Sequence, residues 1–364
     1  AVHISSRTGT VKMDDGSAIG FDRLLIATGA SPRRPLIPGI ELPGVHACWT
    51  LADARHIMQL ARPHSRVVLI GAGFIGCNLM EALAARGAYL SVVEKHDRML
   101  PGMMGKGAGD MIGRWCERQG VKLYTSARVL TIRGGGRNGV RPAYLVRLSN
   151  GVQLTADLVL YAMGTAPNVA FLKGSGIRCL HGVVVDSSMQ TNVPGVYAAG
   201  DCAETFDAEL GRSIIAGVQP NAADQAYCAA LNMTGKHAFQ RGVRHVDVLD
   251  TMGLISSSFG QWQGVRGGQW VEVADERNFK FLRLEFSRDV LIGCNAVGVT
   301  EHAGILRALI QHQVRLGEWK DRLLHDPTLL KDAYTACVAQ QYMEQASAFH
   351  APKGCQPEHA RNTA

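Results

Sequence analysis

The sequence predicts an α/β protein, and three observations carry that reading. The run RVVLIGAGFIGCNLMEALAARGAYLSVVEK, residues 66–95, passes from an apolar strand to a helical pattern and back to a strand within thirty residues, which is one βαβ unit. At 364 residues with 46% apolar content, the chain can bury large cores and has room for two or three domains. Beyond residue 245 the composition shifts to strands and then, from about 301 to 340, to helices, which marks a separate C-terminal α+β unit.

Composition removes several classes of function. No run approaches the ~18 uninterrupted apolar residues that a membrane span needs, and no charged-then-apolar leader is present, so the expected home is cytoplasmic. Nine cysteines, at 48, 77, 116, 179, 202, 228, 294, 337 and 355, show no CxxC and no even spacing. Neither a disulfide framework nor a metal site is expected. Lys and Arg total 38 against 31 Asp and Glu, a net +7 spread along the chain. Nucleic-acid binders concentrate such an excess on one face, so nucleic acid is not an expected partner, while an acidic protein partner stays open.

Taken in order, VKMDDGSAI at 11–19 reads as a hairpin turning at Asp15 and Gly16, followed by the apolar strand LLIA at 24–27. SPRRPLIPGIELPG at 31–44 is a Pro-rich connector, and a helix follows near 51–61. YLVRLSNGVQL places Asn150 and Gly151, a pair that favours positive φ, between alternating runs: a second hairpin. A strand at 183–186, a helix at 220–233 and the hairpin FKFLRLEFSRDVLIGCNAVG complete the regular elements. The last twenty residues read as a frayed tail.

The chemistry is densest at GAGFIG. Gly71 allows the tight turn, Gly73 lets backbone approach a diphosphate, and Gly76 lets helix pack on strand, with Phe74 and Ile75 opening the helix. A diphosphate would rest on the helix N-terminus, where free amides and the macrodipole favour an anion. Glu94 ends the second strand, and a carboxylate there accepts hydrogen bonds from both ribose hydroxyls while repelling a 2′-phosphate. NAD is therefore expected over NADP, with Lys95 and Arg98 near enough to soften the preference. GMMGKGAG at 102–109 lacks the order of a phosphate loop and reads as a loop entering a helix.

FDRLLIATGASPRRP, the GAGFIG fingerprint, LVLYAMGTAPN and TNVPGVYAAGD occur in an order that resembles the pyridine nucleotide-disulfide oxidoreductase superfamily over residues 1–240. The resemblance implies two Rossmann-like dinucleotide-binding domains, the NAD domain inserted into the FAD domain, with a C-terminal α+β domain. Its boundaries are drawn at 1–62 and 186–243 for the FAD part, 63–185 for the NAD part, 244–342 for the C-terminal domain and 343–364 for the tail. It implies that Ala27, Thr28 and Gly29 pass beside FAD, and that Gly200 and Asp201 form the turn whose acid holds the flavin's ribityl chain. The helix beginning near Pro220 and Asn221 would aim its N-terminus at the flavin ring, and Gly164 would lie next to the nicotinamide.

Three departures accompany the resemblance. The fingerprint for the ADP half of FAD is not in the chain, so the expectation is an N-terminally incomplete flavoprotein whose FAD affinity, as given, is poor. Asn78 stands where many relatives carry a Glu that points toward the nicotinamide. HDPT at 325–328 resembles a His-Pro-Thr acid-base motif but carries an inserted Asp326, and reads as a helix-breaking turn. Cys202 reads as a buried structural thiol, and Glu301 and His302 as helix-capping and packing residues. The C-terminal segment resembles rubredoxin and ferredoxin reductases and the flavin-binding part of assimilatory nitrite reductase. The implied activity is hydride transfer from NADH to FAD, then electron transfer to a small electron-carrier protein or redox partner domain; a homo-oligomer stays open. The alternatives are an oxidase, peroxidase or thiol-disulfide reductase with its cysteine upstream, or a non-catalytic NAD-binding module.

Overall fold

The structure, a computed structural model, describes residues 1–134, 143–207, 211–240, 242–243 and 245–339. The run RVVLI forms the middle strand of a five-stranded parallel sheet ordered Val45–Ala47, Leu158–Tyr161, Arg66–Ile70, Tyr89–Val93 and Lys122–Tyr124. Both faces of such a sheet must be covered, which is why the run is apolar after the exposed Arg66. Val67 and Leu69 face the helices Phe74–Ala84 and Lys106–Arg118 through Met80, Leu83 and Ile112. Val68 and Ile70 face a three-stranded antiparallel sheet, Val129–Gly134, Tyr144–Leu148 and Gln153–Ala156, through Ile132 and Val146. Asn150 and Gly151 make the turn in this sheet, with Gly151 at φ +87°.

The chain enters and leaves this unit through a narrow waist, where Ala30–Pro32 pairs antiparallel with Thr165–Pro167. Val45–Ala47 pairs into the five-stranded parallel sheet. Val183–Val185, the strand expected at 183–186, pairs with Ala203–Asp207 in a different sheet. Three-residue strands carry no readable periodicity, so the sheet each one joins is not legible in sequence.

The flanking unit joins Leu24–Ile26 in parallel to Val196–Ala198 and packs helix Gln219–Met233 over a core that includes Ile26, Val196, Tyr197 and Ala229. The expected first hairpin is present, Thr10–Lys12 against Ala18–Gly20. The C-terminal unit is an antiparallel sheet ordered Val246–Thr251, Leu254–Gly260, Val290–Val297, Lys280–Ser287 and Gln269–Asp275, backed by helices Ala303–Gln311 and Glu318–His325. Residues from four of its five strands pack against the nucleotide-type unit. Asn295, 1% exposed, accepts from Gly105 N at 2.8 Å and donates to Met103 O at 3.1 Å, while Leu249, Leu254 and Phe281 join that unit's core.

Helix Glu318–His325 stops at Asp326, whose carboxylate accepts from Thr328 N at 2.9 Å. Helix Ala303–Gln311 differs from expectation: His302 is its N-cap but makes no side-chain capping bond, and Glu301 instead reaches Lys280 at 3.8 Å. The expected frayed tail lies outside the described residues. Among the described residues no helix is long and apolar enough to cross a membrane.

Candidate functional site

At the carboxyl end of strand Arg66–Ile70 the backbone turns so tightly that Gly71 sits at φ +101°, and a Cβ there would lie 2.4 Å from Ala162 O. A Cβ on Gly76 would lie 2.2 Å from Gly71 O, so that glycine seats the helix on the turn. Gly73 differs from both. It is the N-cap of helix Phe74–Ala84, it offers no side-chain cap, and a Cβ there would meet nothing within 4 Å. The free amides of the first helical turn consequently face open space, an arrangement that accepts an anion through both amide donors and the helix dipole.

Two cavities meet at this turn. The first, about 640 Å³, is lined by Gly71, Gly73, Glu94, Lys95, His96 and Arg128 among others. Glu94 is 6% exposed, and protein donors already engage it: Ala72 N to Oε2 at 2.9 Å, His96 N to Oε1 at 2.9 Å, and His96 Nδ1 to Oε1 at 2.7 Å. A carboxylate offers about four acceptor sites, so the expectation of two ribose hydroxyls is narrowed to about one. Arg98 is turned away, bonded to Met104 O at 2.9 Å and Asp97 Oδ1 at 2.7 Å. Arg128, distant in sequence, joins Lys95 as a cation on this wall instead; no spacing pattern could have announced it.

The second cavity, about 800 Å³, brings Gly73, Phe74, Ile75 and Gly164 together with Asp201 and Pro220. Asp201 lies in the turn Gly200–Cys202, where Gly200 takes φ +79° and donates its N–H to Gln225 Oε1 at 2.8 Å. The Asp201 carboxylate rests beside Gly217, 3.6 Å from where a Cβ would stand, and makes no hydrogen bond or ion pair among the described residues. Behind the turn, Gln225 Nε2 is buried and unpaired. Helix Gln219–Met233 also opens on this cavity without a side-chain cap, so two helix N-termini border one space. Asp247 completes the wall, and burial holds its carboxyl above the ordinary range while His245 partly opposes the shift.

A family model described as pyridine nucleotide-disulphide oxidoreductase matches residues 1–230. The chain belongs to that family. Across 87% of its length it is 30% identical to the NADH-dependent phenylglyoxylate dehydrogenase subunit epsilon of Aromatoleum evansii, of which it covers 75%. It is 34% identical over 53% of its length to the ferredoxin–NAD(+) reductase component of the biphenyl dioxygenase system of Paraburkholderia xenovorans (strain LB400), and it spans 46% of that protein. A ferredoxin reductase structure from Rhodopseudomonas palustris superimposes with a TM-score of 0.76 at 27% identity, over 84% of this chain and 74% of that one. The fold expected from sequence, two Rossmann-type units with an α+β unit after them, is thus the fold of this oxidoreductase family.

Not every residue expected from the oxidoreductase resemblance reaches the cleft. Ala27 and Thr28 are exposed, and Ala27, Thr28 and Gly29 line neither cavity. Thr28 and Gly29 are tied to Asn168 at the waist: Thr28 Oγ1 donates to Asn168 O at 2.8 Å, Asn168 Nδ2 to Thr28 O at 2.9 Å, and Asn168 N to Gly29 O at 2.9 Å. Asn78 sits on the exposed face of its helix and lines neither cavity. Cys202 is fully buried, its Sγ within 3.4 Å of Ile26 O and 3.3 Å of Ala199 O, a structural thiol. Among the described residues no cysteine lines the larger cavity, and no group of three or more His, Cys, Asp or Glu could hold a metal.

The residues present fit both dinucleotides the family's name and fold imply. Open space at Gly73 accommodates a diphosphate, and the unpaired Asp201 carboxylate with the orphaned Gln225 amide behind it suits a ligand rich in hydroxyls.

Proposed function

We propose that the chain belongs to an FAD-dependent NADH oxidoreductase that passes electrons from NADH, through FAD, to a small electron-carrier protein or a redox partner domain. The observation that carries this reading is the shared cavity, which joins the Gly73–Ile75 turn and Gly164 on one side to Asp201 and the Pro220 helix end on the other. In this reading Gly71, Gly73 and Gly76 seat the diphosphate of NADH, Glu94 meets the adenosine ribose, and Gly164 leaves room for the nicotinamide. Asp201 accepts hydrogen bonds from the ribityl hydroxyls of FAD. The flavin would supply the chemistry, taking a hydride from the nicotinamide and releasing electrons to the acceptor. The protein's part is to hold two rings face to face and keep water from between them.

Names among the relatives support the acceptor class: rhodocoxin reductase of Rhodococcus erythropolis and rubredoxin–NAD(+) reductase of Pseudomonas putida. The chain spans 56% and 62% of those proteins. The test is direct. Protein supplied with FAD should stay yellow through desalting and lose its flavin colour when NADH is added without oxygen. Colourless protein that still binds NADH would instead support a nucleotide-binding module, and binding of neither would refute the reading.

A further inference from the structure

The smaller cavity contains more positive than negative charge. Lys95, Arg128 and the imidazole of His96 line it with a single carboxylate, Glu94, and neither Lys95 nor the Arg128 side chain has an acidic partner among the described residues. A wall with two unpaired cations at the end of the second strand would hold a 2′-phosphate well, since a nearby cation is what accommodates NADP in this fold. One carboxylate must therefore decide which nucleotide is accepted, and its orientation matters as much as its charge.

Two of the three protein bonds to that carboxylate come from one residue. His96 donates its main-chain N–H to Glu94 Oε1 at 2.9 Å and pairs through Nδ1 with the same oxygen at 2.7 Å. The Glu94 side chain is 7% exposed, whereas that of His96 is 49% exposed, so the histidine is the accessible member of the pair. We propose that His96 is the positioning residue that sets nucleotide preference, locking Glu94 against the adenosine ribose so that the carboxylate cannot swing aside for a 2′-phosphate. With the imidazole gone, Glu94 Oε1 keeps only the main-chain donor, and the carboxylate can turn while Lys95 and Arg128 receive the phosphate. This deepens the proposed function and rests on its assignment of the nucleotide to the GAGFIG turn.

Equilibrium binding of NAD⁺ and NADP⁺, followed by calorimetry, tests the proposal without any turnover. The wild-type chain should favour NAD⁺. His96→Ala should reduce the ratio of the two affinities about tenfold or more, the effect of losing one charge-assisted hydrogen bond. His96→Asn, whose side-chain amide can replace the Nδ1 donor, should restore the ratio to near the wild-type value. An unchanged ratio in His96→Ala, or an equal shift in both variants, overturns the proposal and leaves the nucleotide assignment standing. Binding of neither nucleotide by the wild-type chain overturns both.

Discussion

Asn168 and Thr28 exchange hydrogen bonds in both directions across the waist of the molecule, Thr28 Oγ1 to Asn168 O at 2.8 Å and Asn168 Nδ2 to Thr28 O at 2.9 Å. Ser31 Oγ adds a bond to Asn168 Oδ1 at 2.8 Å. Since only two short strands join the units here, this one side chain fixes how the chain crosses between them. Asn168→Ala removes two side-chain bonds at a half-buried site. It should cost about 1–2 kcal/mol in denaturant unfolding, with faster proteolysis near residues 28–33; unchanged stability and proteolysis would show that the latch is dispensable.

The fingerprint glycines separate binding from folding. A Cβ at Gly73 meets open space and φ there is −82°, so Gly73→Ala should fold normally while placing a methyl group in the space proposed for the diphosphate. NADH affinity should fall by roughly 1–3 kcal/mol. Gly76→Ala, with a Cβ 2.2 Å from Gly71 O, should instead lower stability by about 1–3 kcal/mol. Thermal melts and NADH titrations of the two variants, read together, check the division; equal loss of stability in both contradicts it.

Burial raises the Asp247 carboxyl pKa above its ordinary value of 3.8. A raised folded-state value means that the fold prefers the protonated form, so the contribution to stability is complete below the unfolded value and is lost as pH rises through the folded one. Asp247→Asn removes the charge and should raise the melting temperature at neutral pH by roughly 1–3 °C. That gain should shrink as pH falls toward 3.8. A gain independent of pH would mean that the carboxylate is not desolvated in this cleft.

Thiol reactivity follows burial. Cys116 and Cys294 are pushed up to about 12, Cys77 is pushed higher, and Cys202 is sealed between two carbonyls. Cys48 and Cys179 are only half-buried. Brief alkylation of the native chain, read by mass spectrometry, should modify Cys48 and Cys179 ahead of these four. Rapid modification of Cys202 would reopen a thiol-based mechanism.

Much of the site was legible in sequence because it is local. GAGFIG and Glu94 lie within a short stretch whose spacing follows from strand, turn and helix geometry, whereas the Gly200–Asp201 turn was singled out by its resemblance to the family. Asp326, where its helix stops, caps the next turn through an equally local bond to Thr328 N. Which sheet Val45–Ala47 joins was less legible, since its partner Leu158–Tyr161 lies far along the chain. Arg128 reaches the smaller cavity from the residue just before strand Val129–Gly134 of a different sheet, and His96 bonds Glu94 through a turn no periodicity describes. Asn168 was visible within LVLYAMGTAPN, but its grip on Thr28 spans 140 residues.

The account depends on two ligands sharing the space between Gly164 and Asp201. A crystal structure with FAD and NAD⁺ both bound measures this most directly. The nicotinamide and flavin rings should stack in that cavity with reacting atoms about 3–3.5 Å apart, and Asp201 should bond the ribityl chain. A nicotinamide bound elsewhere, or an Asp201 carboxylate that touches no part of the flavin cofactor, would contradict it.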